Sequence, residues 1–314
     1  MKTDKPSSHA EELLAELGLD YQCSEVGNMS RFVDQHRDKL RFIPESKTWA
    51  EWNRNRWKPC DFSRVHSFAI ETIKRIYDEA HNCPTEEGSK RLAQWALRSE
   101  TNRYLTSMID MASKSPELII RLSTMDSNPL ELNCRNGVVN LETGELREQR
   151  ASDRLLKLAP VNYQPDSPCP VFMSFLNDIF EGDKDLIAFI QRAIGYTLTG
   201  ETNEQVFFLA YGTGANGKST LFETILSILG DYGKASEFDT FLANDKGNIR
   251  NLEGVARLQG IRYALASETD STRRFSEALV KKITGGDTLT GAKLYGKAFA
   301  LVLSDECELV SVWQ

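Results

Sequence analysis

The chain has 314 residues, of which 40% are hydrophobic and 26% are charged, as is typical of a soluble globular protein. This length is sufficient for two domains of about 150 residues each. The formal net charge of −7 disfavours a DNA-packaging or histone-like protein, so any contact with nucleic acid is expected to be a local basic feature.

The cysteines and the amino terminus carry information about the cellular compartment. No two cysteines form a C-x-x-C pair, so reduced thiols are expected instead of a disulfide framework or a metal site. The amino terminus continues into an amphipathic stretch, and no apolar run has transmembrane length. The sequence therefore predicts an intracellular protein without a membrane partner.

The first part of the chain is predicted to form short strands followed by helices. Ser8 lies three residues before Glu11, which indicates a capped helix at the start. The other predicted elements are short strands within 28–36, 40–43 and 48–52, helices over 62–123 with a break at 82–88, and a helix over 117–122 that Pro116 opens.

Basic and aromatic side chains cluster at Arg54, Arg56, Trp57 and Lys58. Such a cluster could stack on single-stranded nucleic acid and neutralise its phosphates. The alternative is a hairpin whose tryptophans pack inward and whose basic residues face water. The pattern favours this alternative, because charges beside aromatic residues are common on exposed hairpins.

A β meander is predicted over residues 130–147, where Asn136-Gly137 and Thr143-Gly144 supply the turns. The proline-rich segment 160–170 is predicted to be a linker. Two amphipathic helices, over 171–180 and 185–196, then lead into the next strand.

Residues 204–230 predict a strand, a phosphate-binding loop and a helix. The spacing Gly-x4-Gly-Lys-Ser lets backbone N–H groups surround an anion. Lys218 would reach the β- and γ-phosphates, and the Ser219 hydroxyl would bind Mg²⁺ at the start of the helix. The predicted nucleotide-binding residues are Gly212, Thr213, Gly214, Ala215, Asn216, Gly217, Lys218, Ser219 and Thr220.

A second strand is predicted over residues 260–267, about 50 residues after the loop, and it ends in acidic residues. Glu268 is the candidate for polarising the Mg²⁺-bound water, and Asp270 is expected to assist it. A helix over 275–284 and a hairpin that projects Lys293 follow, with Lys282 nearby. The alternative for this hairpin is an ordinary surface turn with solvated lysines.

These motifs together resemble the superfamily 3 helicases of the phage and plasmid primase–helicase type. The resemblance rests on Gly212–Thr220, on Ala266-Ser-Glu-Thr-Asp270 and on the segment 277–287. It also includes 136–146, Cys169-Pro-Val-Phe and 194–202, so that it spans roughly residues 28 to 295.

The resemblance implies an α/β fold with a P-loop AAA+-like ATPase core, incomplete at its carboxyl end, behind a mainly helical α+β domain. It implies an amino-terminal tail over 1–27, the helical and meander domain over 28–165, and the ATPase domain over 166–314. Lys218 and Ser219 would be Walker A residues, and Glu268 with Asp270 the Walker B acids, with Glu268 and Ser219 at the metal. Lys293 and Lys282 would contact DNA.

The implied function is a cytoplasmic DNA helicase subunit of a phage, prophage or plasmid replication system in a bacterial or phage-infected cell. It would use ATP and Mg²⁺ to move along single-stranded DNA as a ring, usually a hexamer, with a separate primase or initiation protein as a further partner. No primase activity is expected, since only about 27 residues precede the similarity.

The end of the sequence leads to a second hypothesis. A strand over 299–303 is expected to carry a polar sensor, but Ser304-Asp305-Glu306 stand where an Asn is usual. The sequence ends before the usual place of the trans-acting arginine, for which Arg273 and Arg274 are conceivable substitutes that no spacing argument supports. The alternative is therefore a truncated nucleotide-binding remnant, or a regulatory subunit that joins rings without turnover. A small-molecule kinase with the same loop is a third class, which a screen for substrate-dependent ADP release without DNA would identify.

Overall fold

The computed structural model describes residues 9–201, 203–206, 208–211, 216–237, 257–258, 260–267 and 300–304. The contacts divide the chain into two compact units. The first comprises Met1–Asn53 and Trp57–Thr124, and the second comprises Arg54–Arg56 and Met125–Gln314. The structure contains both helices and sheets, and its amino-terminal region is mainly helical. This agrees with the predicted mixture of helix and sheet behind a mainly helical first domain.

In its described residues, 9–53 and 57–124, the first unit packs five helices with a small antiparallel sheet in the order β1-β2-β3. The strands are β1 (Leu40–Ile43), β2 (Thr48–Trp52) and β3 (Trp57–Cys60). The helices are α1 (His9–Leu17), α2 (Glu25–His36), α3 (Phe62–Asn82), α4 (Glu86–Ser99) and α5 (Asn102–Ala112). These elements confirm the predicted strands at 40–43 and 48–52 and the predicted first helix. They also confirm a helical region after residue 62 with a break within 82–88.

Helix α2 replaces a predicted strand within residues 28–36, so that prediction was wrong. The Ser24 hydroxyl caps the helix by accepting a hydrogen bond from the Gly27 N–H at 3.1 Å. Its buried positions recur at helical spacing, but three of them are polar: Asn28, Arg31 and His36. A helix that buries polar side chains does not show the apolar periodicity on which the prediction depended.

The predicted helix over 117–122 was also wrong. Ile119 instead forms a parallel bridge with Phe42 of β1, and the Phe42 N–H donates to the Leu118 carbonyl at 2.7 Å. A 3₁₀ turn follows at Leu122–Thr124. The fully buried Leu118 explains the apolar pattern, because a strand-like segment at the sheet edge buries it as well as a helix would.

The second unit begins with the predicted meander, formed by β4 (Glu131–Cys134), β5 (Gly137–Asn140) and β6 (Leu146–Arg147). Gly144 has φ +75°, which is the left-handed conformation that the predicted turn requires. Helices α6 (Pro170–Ile179) and α7 (Lys184–Thr199) follow, so both predicted amphipathic helices are confirmed.

Further along the second unit, the described residues form a parallel sheet in the order β7-β10-β9-β8. Its elements in chain order are β7 (Phe208–Tyr211), α8 (Lys218–Leu229), β8 (Gly233–Glu237), β9 (Tyr263–Ser267) and β10 (Ala300–Ser304). The predicted strands within 204–211 and 260–267, the strand near 299–303 and the helix after the loop are confirmed. The last strand among the described residues, β10, lies between β7 and β9.

One hydrophobic core joins the meander to the parallel sheet of this unit. It contains Leu132 and Val139 from the meander, Phe222 and Ile225 from α8, and Leu265 from β9. Residues 125–165, which the sequence analysis grouped with the helices before them, thus share a core with the later segment. The domain boundaries themselves stay a prediction. In the described part of the chain, no helix combines the length and apolarity that crossing a bilayer requires.

Candidate nucleotide-binding site

Three parallel strands end together at one edge of the sheet. Tyr211 of β7 pairs with Ser304 of β10, and Leu303 of β10 pairs with Ser267 of β9. Because neighbouring strands lie about 4.8 Å apart, the ends of β7 and β9 are separated by roughly 10 Å. In open parallel sheets ligands bind at the carboxyl ends of the strands, so this edge is where a site is expected.

The chain passes from β7 to α8 through a glycine-rich segment, of which Asn216 and Gly217 are described. Gly217 has φ +81° at the position before the first helical residue, Lys218. The Asn216 side-chain oxygen accepts a long hydrogen bond of 3.5 Å from the Lys218 N–H. The first N–H groups of a helix have no partner within it, so this end of α8 favours an anion.

The polar start of α8 is accessible, whereas one apolar face of the helix is buried. Ser219 and Thr220 are exposed and Lys218 is partly buried, while the buried residues of the helix are Leu221, Phe222, Ile225 and Leu229. The apolar face therefore fixes α8 against the core, which leaves Ser219 and Thr220 accessible at its amino end.

Several predicted site residues lie outside the described residues, so their assignment stays a prediction. These residues are Gly212, Thr213, Gly214, Ala215, Glu268, Asp270, Lys282 and Lys293. Glu268 directly follows Ser267, the last residue of β9. Within the described residues, no group of three or more His, Cys, Asp or Glu side chains could hold a metal ion.

A buried polar network around Arg262, the residue before β9, was not predicted from the sequence. The Arg262 guanidinium donates to the carbonyls of Leu198 at 2.6 Å, Glu131 at 2.8 Å and Asn128 at 3.3 Å. Burial lowers the pKa of Arg262 from its ordinary value. An arginine at the start of an apolar strand, between Ile261 and Tyr263, was the signal that could have revealed it.

Two further charges lie near this network. The Asp126 carboxylate accepts hydrogen bonds from the N–H groups of Leu156 at 2.9 Å and Lys157 at 3.3 Å, while burial raises the Asp126 pKa. Burial lowers the pKa of Lys157, whose ammonium donates to the Asp231 carbonyl at 3.3 Å. The Asp126 bonds join the segments before and after the meander, and the Lys157 bond attaches the turn after α8 to the segment after the meander.

The basic and aromatic cluster at 54–58 has two different surroundings. In the first unit Trp57 is 1% exposed, as the inward-packed alternative predicted. In the second unit Arg56 forms an ion pair with Asp231 and donates to the Leu156 carbonyl at 3.2 Å. Arg54 and Lys58 are exposed. Arg56 therefore stabilises the fold, contrary to the prediction that all the basic residues face water.

Comparisons with known proteins agree on one broad class. Residues 29–181 match the family model described as D5 N terminal like. The "Putative helicase L207/L206" of Acanthamoeba polyphaga mimivirus is 28% identical over 178 residues, which are 55% of this chain and 18% of that protein. The "Putative helicase 121R" of Invertebrate iridescent virus 3 is 28% identical over 190 residues, 55% of this chain and 19% of that protein.

The "Putative primase C962R" of African swine fever virus is 23% identical over 249 residues, which cover 76% of this chain and 26% of that protein. The chain thus spans about a fifth to a quarter of the length of these relatives. The similarities support a relationship to a primase–helicase family of large DNA viruses.

Proposed function

We propose that this chain is a nucleotide-binding part of a superfamily 3 DNA helicase, which couples ATP hydrolysis to movement along single-stranded DNA during replication. The observation that carries the proposal is the passage from β7 into α8, where Gly217 is left-handed and Lys218 opens the helix at the carboxyl edge of a parallel sheet. This is the structural context that gives a Gly-x4-Gly-Lys-Ser motif its mechanism.

The residue types of the loop suit a nucleoside triphosphate with Mg²⁺. Lys218 supplies a positive charge for the phosphates, Ser219 supplies a hydroxyl for the metal, and the amino end of α8 supplies N–H donors. Bound Mg²⁺ would neutralise the charge that develops on the phosphates. Glu268 is proposed as the base that takes the proton of the attacking water, with Asp270 beside it.

The DNA-directed part of the proposal rests on the relatives. Their names mention helicases and primases, and a helicase of this type works as a ring, for which we propose a hexamer. Lys282 and Lys293 are proposed to contact single-stranded DNA, and a separate primase or initiation protein is the proposed partner. The second candidate is a regulatory subunit that binds nucleotide and joins rings without turnover. Its reason is the sequence Ser304-Asp305-Glu306, which begins at the last residue of β10.

The test measures ATP binding and ATP hydrolysis with and without single-stranded DNA. We expect DNA-stimulated hydrolysis in the wild type and loss of both binding and hydrolysis in Lys218→Ala. Lys184→Ala, which removes an exposed lysine at the start of α7, is the matched control and should leave both unchanged.

Two results would redirect the proposal. Lys218-dependent binding of Mg-ATP without hydrolysis at any protein concentration would favour the regulatory subunit. That candidate can then be checked by adding excess protein to an intact related helicase, since an unchanged unwinding rate would refute it. Absence of ATP binding in the wild type would overturn both candidates.

A further inference from the structure

Helix α6 packs against the residue that precedes Lys218. A Cβ atom added at Gly217 would lie 2.5 Å from Ile179 Cγ2 and 3.4 Å from Phe175 Cε2. In protein structures, a Cβ atom essentially never lies within 3.0 Å of a heavy atom from a residue that is not its neighbour. The Gly217 backbone therefore lies directly against the Ile179 side chain, with no room for a Cβ atom between them. The contact joins the end of α6 to the start of α8.

The end of α6 is itself held in place by its packing. Phe172, Phe175, Leu176 and Ile179 recur at helical spacing. Leu176 is buried in the core that α8 shares, and the other three are partly buried and pack against that core. The helix ends with hydrogen bonds from the Phe180 N–H to the Leu176 carbonyl at 3.1 Å and from the Gly182 N–H to the Asn177 carbonyl at 2.8 Å. Packing against the core therefore holds the Ile179 side chain in the position where it contacts Gly217.

We infer that Ile179, supported by Phe175, is a positioning residue for the phosphate loop: it holds Gly217 and Lys218 where a nucleotide phosphate is bound. The inference rests on the proposed function. Helix α6 lies within the segment 29–181 that matches the family model. The segment before the loop thereby contributes directly to the geometry of nucleotide binding.

A loss of packing at this point has a larger effect on the loop than on the fold. Ile179 is partly buried at a helix end, so its truncation removes only part of the core contact. A displacement of about 1 Å at a binding group can reduce activity about 100-fold. Ile179→Ala should therefore weaken binding of a non-hydrolysable ATP analogue at least tenfold, while the urea midpoint of unfolding changes little.

Two variants act as controls for the binding measurement. Ile179→Val keeps the methyl group nearest the loop and should restore most of the affinity. Val171 is also β-branched and lies on the same helix, but it is 82% exposed. Val171→Ala should therefore bind the analogue like the wild type. Suppose that the wild type binds the analogue and that Lys218→Ala abolishes this binding. Equal affinity of Ile179→Ala and Val171→Ala would then overturn this inference and leave the proposed function intact.

A double-mutant cycle tests the contact without any nucleotide. Gly217→Ala introduces both a strained positive φ and the clash with Ile179, whereas in the Ile179→Ala background only the strained φ remains. The fall in the urea midpoint caused by Gly217→Ala should be clearly smaller in that background. Additive effects would refute the contact, and absence of ATP binding in the wild type would instead refute the proposed function.

Discussion

The guanidinium of Arg262 lies over the ring of Tyr232, with 4.6 Å between Cζ and the ring centroid. Arg262 precedes β9 and Tyr232 follows α8, and the two residues are 6% and 1% exposed. The guanidinium also donates a hydrogen bond to the Leu198 carbonyl in the last turn of α7, where the helix dipole is negative. One buried cation thus connects α7, β4 and the parallel sheet.

Replacement of Arg262 should destabilise the second unit strongly. Arg262→Met leaves the carbonyls of Leu198 and Glu131 without their donor, at an expected loss of about 3 kcal/mol in the free energy of unfolding. Arg262→Lys should recover only part of this, because an ammonium group cannot reach the same acceptors as the planar guanidinium. Urea unfolding measures both, and Arg192→Met on the exposed face of α7 is the control. Equal losses in Arg262→Met and Arg192→Met would contradict the prediction.

The Tyr232 hydroxyl has a role separate from its ring. It accepts a hydrogen bond of 3.2 Å from the buried N–H of Asn133 in β4. Tyr232→Phe keeps the ring under Arg262 but removes this acceptor, so we expect a loss of about 1–2 kcal/mol in unfolding free energy. Tyr77→Phe, which removes an exposed bond to Glu100, should cost much less. Similar losses in the two variants, measured by urea unfolding, would exclude this role.

The ion pair between Arg31 and Glu79 should contribute more to stability than an exposed pair. The Arg31 side chain is fully buried and its Nε lies 3.0 and 2.8 Å from the two Glu79 carboxylate oxygens. Glu79→Gln leaves the buried guanidinium uncompensated, and we expect a loss of about 2–3 kcal/mol in unfolding free energy.

The exposed pair of Glu86 with Lys90 provides a control of the same chemistry. Glu86→Gln should cost under about 1 kcal/mol, because solvent screens that pair. Thermal or urea unfolding of the two variants side by side would decide the matter, and a smaller loss for Glu79→Gln than for Glu86→Gln would contradict the argument.

Acid should destabilise the first unit through His36. Burial lowers the pKa of His36 from 6.5 to about 4, and its Nε2 lies 2.9 Å from the Thr72 hydroxyl oxygen. Between these two pKa values the unfolded chain binds a proton that the folded chain does not, so stability falls as pH decreases. The slope should approach about 1.4 kcal/mol per pH unit and vanish above about pH 6.5.

His36→Gln removes this titration, and urea midpoints from pH 4.5 to 7.5 measure the difference from the wild type. As pH decreases across this range, the wild type should lose more stability than His36→Gln. His81→Gln at the exposed end of α3 is the control. Parallel curves for wild type and His36→Gln would show that His36 protonates equally in both states.

The sequence was most informative where side-chain pattern and backbone geometry depend on the same residues. The strands at 40–43 and 263–267 follow from short apolar runs, and the start of α8 follows from the glycines before Lys218. Helix α2 could not be predicted in this way. Its buried Asn28 accepts from Trp95 Nε1 at 2.8 Å and donates to Ser99 Oγ at 3.0 Å, and both partners are about 70 residues away along the chain.

The candidate site was predicted as a local motif, whereas its support is not local. Gly217 and Lys218 are adjacent in the sequence, but Ile179 meets Gly217 only in the folded chain. Arg262 gives a similar case, since its acceptors lie as far away as Asn128. Contacts of this kind arise from tertiary packing, which hydrophobic periodicity and loop spacing do not encode.

The position of β10 affects how the parallel sheet can form during synthesis. Leu301 pairs with Phe208 on one side and with Leu265 on the other, so β7 and β9 have no direct pairing to each other. A chain growing on the ribosome can pair β8 with β9, but β7 must wait until residues 300–304 have emerged. Closure over such a sequence separation is slow, and during this interval β7 and β9 each have an unpaired edge open to other chains.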